Sequence, residues 1–101
     1  MSFTVILPSY GPSPWLKEAI ESVLDQNTNN WHLMIADDGL DRLAQDWLRD
    51  RIAELQDNRI QWSQRPKNLG LFANLNRAIA ESQTDWIVLL CSDDALRPSA
   101  I

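Results

Sequence analysis

The sequence predicts an α/β fold: a Rossmann-like sheet of four parallel strands in the spatial order 3-2-1-4, with helices on both faces. Four short apolar segments alternate with three helical patterns, which is the element order of βαβ units. The first, second and fourth segments lack polar alternation, as expected for strands whose two faces are both covered by helices. Aspartate pairs follow two of these strands, at the end of the sheet where ligands of open α/β sheets bind.

The first half of the chain predicts two strands and the helix between them. Residues Phe3 to Leu7 form an apolar, β-branched segment that Pro8 is expected to end. A helix is predicted from Pro14 to Asp25, because Ser13 and Pro14 suit its first turn and apolar residues follow at helical spacing. Residues 31–36 form the second apolar segment, and Asp37-Asp38-Gly39 is expected to turn the chain.

The second half continues the alternation. Apolar residues from Leu43 to Leu55 recur at helical spacing, and the charged residues between them are typical of a solvated helix face. A weak strand at residues 60–62, a loop at residues 65–70 and a helix that contains Phe72 to Ile79 follow. Residues 86–90 form the most apolar strand.

Composition narrows the classes of function. The chain has 101 residues, 45% of them hydrophobic and 23% charged, which suits one globular domain. The net charge of -5 argues against nucleic acid as a partner, since a phosphate backbone needs a basic surface. Cys91 is the single cysteine and forms no intrachain disulfide. No apolar run suits a signal peptide or a transmembrane helix.

Asp37-Asp38-Gly39 admits two interpretations. The first is a local turn, in which aspartate caps the backbone and glycine supplies positive φ. The second is a carboxylate at the sheet edge that accepts N–H groups from a base or hydroxyls from a sugar. The residues alone leave both open.

Asp93-Asp94 also admits two interpretations. A capped turn before a helix that begins near Pro98 is the structural one. However, adjacent carboxylates repel each other, and a bound cation relieves that repulsion. Oxygen ligands favour Mg²⁺ or Mn²⁺ over Zn²⁺.

The other candidate residues carry weaker signals. Asn68-Leu69-Gly70 suits a helix N-cap and a tight turn. His32 has no second histidine or cysteine at ligand spacing, and Cys91 has no histidine nearby in sequence, so both are expected to serve packing. No glycine-rich loop follows the first strand, which excludes the Walker and dinucleotide fingerprints.

Five motifs in this order resemble the N-terminal half of the family 2 glycosyltransferases, nearly from end to end. The matching segments are Val5-Ile6-Leu7-Pro8-Ser9-Tyr10, Leu16 to Gln26, Ile35-Ala36-Asp37-Asp38-Gly39, Asn68-Leu69-Gly70 with Ala73, Asn76 and Ala78, and Leu89 to Asp94 with Leu96 and Pro98. No single motif is specific, but five at the family's spacing are.

The resemblance implies a GT-A fold and inverting transfer from a nucleotide-diphospho-sugar, most often a UDP-sugar, to an acceptor hydroxyl. By position, Tyr10 would lie against the base and Asp38 would accept its N–H. Asp93 and Asp94 would hold the ribose and a Mg²⁺ or Mn²⁺ ion that bridges the diphosphate. The substrate-binding residues implied are Pro8, Ser9, Tyr10, Asp38, Asn68 and Asp93, and the metal ligands are Asp93 and Asp94.

The resemblance also implies a division of labour along a longer enzyme. Residues 1–101 would form the donor-binding half, which stops just after the metal motif. The acceptor site and the general base are expected beyond Ile101, the last residue of the sequence. No catalytic residue is therefore assigned within the chain, and the chain alone is expected to be inactive.

Partners and a location follow from the same resemblance. The acceptor would be a glycan or a lipid-linked sugar, and the enzyme would be cytoplasmic or peripheral at the inner face of a membrane. An open sheet edge near the end of the sequence would favour a homodimer.

The sequence departs from the family pattern at three positions: Gly11 replaces the usual Asn, Leu40 the usual Ser, and Cys91 the first Asp of the metal motif. Cys91 and the end of the sequence just after the metal motif favour one alternative, a degenerate module that keeps the fold without turnover. A signalling receiver domain would need its acidic pair after strand 1, where Pro8-Ser9-Tyr10 stands. A sugar nucleotidyltransferase would need a glycine-rich loop there.

Overall fold

The computed structural model of the protein describes residues 2–12, 16–27, 29–84 and 86–90. Strands and helices alternate along these residues as the sequence predicts. The elements are β1 (Phe3–Gly11), α1 (Leu16–Leu24), β2 (Trp31–Leu40), α2 (Arg42–Leu55), β3 (Ile60–Gln64), α3 (Leu71–Glu81) and β4 (Trp86–Leu89). The predicted helix start at Ser13 and Pro14 lies outside the described residues.

The four strands form one parallel sheet in the order β3-β2-β1-β4, which confirms the predicted topology. Strand β1 is central, because Phe3 is aligned with Trp31 of β2 on one side and with Trp86 of β4 on the other. All carboxyl ends therefore meet at one edge of the sheet. The chain adds β2 and β3 on one side of β1 and then crosses to add β4 on the other side, so the topological switch point lies at the carboxyl ends of β1 and β4.

Apolar side chains alternate between the two faces of the sheet and form two cores. On one face, Val5 and Leu7 of β1 belong to the larger core, which α1 supplies with Leu16 and Ile20 and α2 with Leu48. On the other face, a smaller core joins Ile6 of β1 to residues of β2 and α3, namely Met34, Ala36, Leu75 and Ala78. Helices cover both faces, as predicted.

Two strands run further than the sequence predicts. β1 continues past Pro8 to Gly11, and β2 continues past Asp37 to Leu40. Proline is tolerated where a strand lacks a neighbour on one side, and the alignment of β4 with β1 ends at Ile6. The predicted turn at residues 37–39 is therefore wrong as a strand end, since hydrogen bonds hold its acidic side chains within the strand.

Large apolar side chains are exposed on the outer elements of the sheet. The residues concerned are Leu71, Phe72 and Ile79 of α3 and Trp86, Ile87 and Leu89 of β4. None of the helices in the described ranges combines the length and hydropathy that a membrane span needs.

Candidate functional site

An exposed aromatic side chain lies at the carboxyl edge of the sheet, over the residue that follows Asp38. β1 and β2 are in register up to Ser9 and Asp37, and the alignment then shifts before Gly11 meets Leu40. The ring of Tyr10 lies over Gly39, since a β-carbon built there would sit 3.5 Å from two ring carbons. Tyr10 is 67% exposed, so its ring offers an open apolar face beside the Asp38 position.

The two residues before Tyr10 shape the strand end. Pro8 is half-buried and lies opposite Ala36. Ser9 is buried, and its hydroxyl donates to the Leu7 carbonyl oxygen at 3.3 Å. The Ser9 side chain therefore supports the strand, while Tyr10 faces solvent.

Asp37 holds its own strand end together. Its Oδ1 accepts the backbone N–H groups of Gly39 at 2.8 Å and Leu40 at 2.7 Å. Its Oδ2 accepts the indole N–H of Trp62 on β3 at 2.9 Å. The residue is 3% exposed, so Asp37 acts as an anchor between β2 and β3.

Asp38 binds a loop that is 31 residues away in sequence. Its Oδ1 accepts the N–H of Leu69 at 2.7 Å and its Oδ2 accepts the N–H of Gly70 at 2.9 Å. The Asn68 side chain donates to the Asp38 carbonyl oxygen at 3.1 Å. The structure thus joins two predicted site residues, Asp38 and Asn68. The prediction that Asn68 caps a helix is wrong, because Gly70 occupies the N-cap of α3.

A buried polar network behind this edge was missed by the sequence analysis. Arg65, directly after β3, donates to Asn74 and Glu81 of α3. Asn74 in turn donates to the Ala36 carbonyl oxygen of β2 at 3.0 Å. The available signal was Asn74 itself, one turn before Ala78 on the apolar face of the helix, where a polar residue needs a partner.

Several predicted features lie outside the part of the chain that the structure describes. They include the metal ligands Asp93 and Asp94, the neighbouring Cys91 and the helix expected near Pro98. Ile101 lies outside it as well, and the general base and acceptor site were expected beyond that residue. The metal ligands and the position of the base therefore stay predictions.

The strand that leads to the predicted metal ligands is described. The N–H of Leu90 donates to the Ile6 carbonyl oxygen at 3.0 Å. The carboxyl end of β4 therefore lies beside β1. Within the described ranges no three acidic, histidine or cysteine side chains form a metal-binding group.

The amino end of the sheet carries a different acidic group. Asp57 accepts two hydrogen bonds from the Arg59 guanidinium, at 3.0 and 2.7 Å, and Arg59 lies 3.8 Å from the centre of the Trp31 ring. The Arg59 side-chain hydrogen bond holds the pKa of Asp57 below its ordinary value, although burial opposes the shift. By contrast, Asp37 and Asp38 form no ion pair with any residue that the structure describes.

The sequence is similar to a known protein family over nearly its whole length. The family model described as "Glycosyl transferase family 2" matches residues 4–101. The putative teichuronic acid biosynthesis glycosyltransferase TuaG of Bacillus subtilis is 31% identical over 93 residues, covering 90% of this chain and 35% of that protein. A glucosyltransferase of Escherichia coli, WfgD, named as using UDP-Glc and GlcNAc-diphosphoundecaprenol, is 31% identical over 91 residues, covering 90% of this chain and 34% of that protein. The chain thus spans about a third of the length of these relatives.

Solved structures share the fold. S. aureus TarS 1-349 in complex with UDP superimposes with a TM-score of 0.81 at 21% identity, covering 98% of this chain and 29% of that one. The mannosyltransferase PcManGT from Pyrobaculum calidifontis, in complex with GDP-Man and Mn²⁺, gives a TM-score of 0.83 at 18% identity, covering 97% of this chain and 29% of that one. Both comparisons support the predicted GT-A architecture.

Proposed function

Because the chain belongs to the family 2 glycosyltransferases, we propose that it forms the donor-binding part of an enzyme that transfers a sugar from a nucleotide-diphospho-sugar. The observation that carries the proposal is the exposed Tyr10 ring over Gly39, the residue next to Asp38, at the carboxyl edge of the sheet. A planar base needs an apolar face and an acceptor for its N–H, and this edge offers both. A UDP-sugar is the first choice of donor, in line with the UDP named for one structural neighbour and one relative.

Asp38 reads the base while it holds the loop at Leu69 and Gly70. A carboxylate has about four lone-pair positions, and the two loop N–H groups occupy two of them. A uracil N–H can therefore be accepted without releasing the loop. Asn68, Pro8 and Ser9 complete the pocket by shaping the backbone around Tyr10 and Asp38.

Asp93 and Asp94 hold a Mg²⁺ or Mn²⁺ ion in this proposal. Their oxygen donors suit these ions, and they follow β4, whose carboxyl end lies beside β1 at the Tyr10 edge. Asp93 also contacts the donor. The bound ion would neutralise charge on the leaving diphosphate. The acidic protein then binds phosphate through a cation and needs no basic surface.

The chain's own residues orient the donor for inverting transfer. Tyr10 and Asp38 fix the nucleoside, which leaves the sugar directed out of the edge, toward an acceptor that the remaining part of a full-length enzyme would bring. In the transfer, the acceptor oxygen forms a bond to the anomeric carbon as the bond to the diphosphate breaks, and a base takes the hydroxyl proton. We place that base beyond Ile101 and assign none within residues 1–101, so the chain by itself is proposed to bind donor without transferring sugar.

The acceptor is proposed to be a glycan or a lipid-linked sugar. The name of the WfgD relative includes a diphosphoundecaprenol-linked acceptor, which supports the second choice. A lipid-linked acceptor would bring the enzyme to the inner face of the membrane, with the domain in the cytoplasm.

Calorimetric titration of the 101-residue chain with UDP, with and without Mn²⁺, tests the proposal. We expect binding that strengthens when Mn²⁺ is present. At a hundredfold excess over the dissociation constant, UDP and Mn²⁺ should stabilise the fold by roughly 2.7 kcal/mol, since they bind only the folded state. Thermal melts give the corresponding rise in Tm.

Two variants sharpen this test. Asp94→Asn should remove the metal-dependent part of the shift and slightly raise the Tm of the free protein, because one of two repelling charges is lost. Asp50→Asn, at an exposed position of α2, is the matched control for charge. The contrary outcome is that UDP binds equally well with and without Mn²⁺ and that Asp94→Asn has a lower Tm than the wild type. In that case Asp93 and Asp94 form a capped turn, and the chain is a degenerate module of the same fold.

A further inference from the structure

Arg65 is the most completely buried charged side chain of the described ion pairs, with 0% of its side chain exposed. Its Nε donates to Asn74 Oδ1 at 2.7 Å and its Nη1 donates to Ser63 Oγ and to Glu81 Oε1, each at 2.8 Å. One guanidinium thus connects the end of β3 to two successive regions of α3. Burying a charge is costly, and the hydrogen bonds to Ser63, Asn74 and Glu81 offset that cost.

The same residue stands at the start of the loop that Asp38 binds. The N–H of Arg65 donates to the Asp37 carbonyl oxygen at 2.9 Å, and Asn74 donates to the Ala36 carbonyl oxygen. Both ends of the segment from Arg65 to Asn74 are therefore fixed to the last residues of β2 before Asp38. Between these fixed ends lie Leu69 and Gly70, whose N–H groups point at the Asp38 carboxylate.

We propose that Arg65 is a positioning residue for nucleotide recognition: through Asn74 it fixes the loop at residues 68–70, and the loop fixes the Asp38 carboxylate that accepts the base N–H. This inference rests on the proposed function. Arg65 does not touch the nucleotide. It determines how precisely Asp38 is aimed, and therefore how strongly the site prefers a base that can donate.

The geometry requires the planar fork of arginine. Nε reaches Asn74 while Nη1 reaches Ser63 and Glu81, in directions set by one rigid group. A lysine at this position keeps the positive charge beside Glu81 but has no second nitrogen for Asn74. Arg65→Lys therefore separates the charge, which stabilises the fold, from the link to Asn74, which aims the loop.

The experiment measures base preference. The 101-residue chain is titrated with UDP and with 3-methyl-UDP, whose base has no N–H to donate, both in the presence of Mn²⁺. We expect the wild type to prefer UDP. In Arg65→Lys the UDP affinity should fall about fivefold to tenfold, the equivalent of one lost hydrogen bond, while the affinity for 3-methyl-UDP stays unchanged. Arg59→Lys, in the ion pair at the amino end, is the matched control and should keep the full preference.

A second readout needs no nucleotide. Amide exchange of Leu69 and Gly70 should accelerate in Arg65→Lys relative to the core amides of β1, because the hydrogen bond from Nε that orients Asn74, in the first turns of α3 after the loop, is lost. If Arg65→Lys does not fold, Asn74→Ser carries the test, since it breaks the same link and leaves Arg65 with Ser63 and Glu81. Unchanged preference together with unchanged exchange would overturn the proposal. Absence of UDP binding by the wild type, with accelerated exchange in the variant, would contradict the proposed function and with it the nucleotide role of Arg65, while the link from Arg65 to the loop would stand.

Discussion

The two ends of the sheet hold their carboxylates by different means. At the amino end, Asp57 is held by the Arg59 guanidinium, which cancels its charge. At the carboxyl edge, Asp37 and Asp38 are buried and are held by backbone N–H groups and one indole N–H. Hydrogen bonds from neutral groups fix the position of a carboxylate while its negative charge remains.

This difference separates a carboxylate that serves only the fold from a carboxylate that can also accept a hydrogen bond from a ligand. Asp57 has its charge matched by Arg59 and accepts three hydrogen bonds from that residue. Asp38 is fixed in place by backbone N–H groups, has no cationic partner among the described residues and keeps lone pairs for a further donor. Asp37 is also buried but accepts three hydrogen bonds: two from its own strand end, at Gly39 and Leu40, and one from Trp62 of β3. The comparison therefore singles out Asp38.

The largest effect is expected for Asp38→Ala. It removes the acceptor for the base and leaves the N–H groups of Leu69 and Gly70 unpaired, so UDP binding should weaken by roughly 1–3 kcal/mol. Stability should also fall by about 1–3 kcal/mol, because two hydrogen bonds to a carboxylate are lost. Calorimetry and urea unfolding measure the two effects. Asp57→Ala, at the amino end of the sheet, is the control. Equal losses of UDP affinity in the two variants would show that Asp38 has no special role in nucleotide binding.

Asp37→Asn should act on stability more than on binding. An amide oxygen can still accept from Gly39 and Leu40, but its NH₂ group then faces the indole N–H of Trp62, and two donors cannot pair. We expect a loss of about 1–3 kcal/mol in urea unfolding, with changed Trp fluorescence. Asp41→Asn makes the same exchange at the N-cap of α2, where asparagine caps equally well, and should be nearly neutral. An equally stable Asp37→Asn would show that the three bonds contribute little.

The smallest effect is a pH dependence at the amino end. The pKa of Asp57 is lowered in the fold by Arg59, so its stabilising contribution is present above the unfolded pKa of 3.8 and is lost as the pH falls through the lower folded value. Between about pH 5 and pH 3, wild type should therefore lose more stability than Asp57→Asn. Urea midpoints across this range measure the difference, with Asp50→Asn as the control for charge. If the urea midpoints of wild type and Asp57→Asn change equally with pH, Asp57 makes no contribution to the pH dependence of stability.

Topology was predictable from the sequence because it depends on patterns that are local. Unalternated apolar segments separated by helical spacing indicate a parallel sheet, and the residues after each strand must then meet at one edge. The parallel alignment of the strands and the approach of Tyr10 to Gly39 follow from this. The motif resemblance added the family, which residue patterns alone left open.

The partners of the site residues were not predictable in the same way. Asp38 with Leu69, Asp37 with Trp62 and Arg65 with Asn74 are contacts between separate elements. Such contacts depend on side-chain directions and strand ends that no short pattern encodes. The turn expected at residues 37–39 was right in its local bonding, since Asp37 Oδ1 accepts the N–H groups of Gly39 and Leu40 and Gly39 has a φ of +125°. It was wrong as the end of the strand, because β2 continues to Leu40.

The central place of β1 also has a consequence for how the chain folds during synthesis. β1 is synthesised first and can pair with β2 soon afterwards. Its other side pairs only with β4, Trp86 to Leu89, which is the last strand described. Until then the nascent domain presents a long unpaired edge rich in apolar residues, which is the kind of surface that chaperones bind and that misassembles with other chains. Closure by β4 spans most of the sequence, and the hydrogen bond between the hydroxyls of Thr4 and Thr84 is one of the contacts that can form only at this stage. A pause in translation before residue 86 would therefore prolong the time during which this edge of β1 is unpaired.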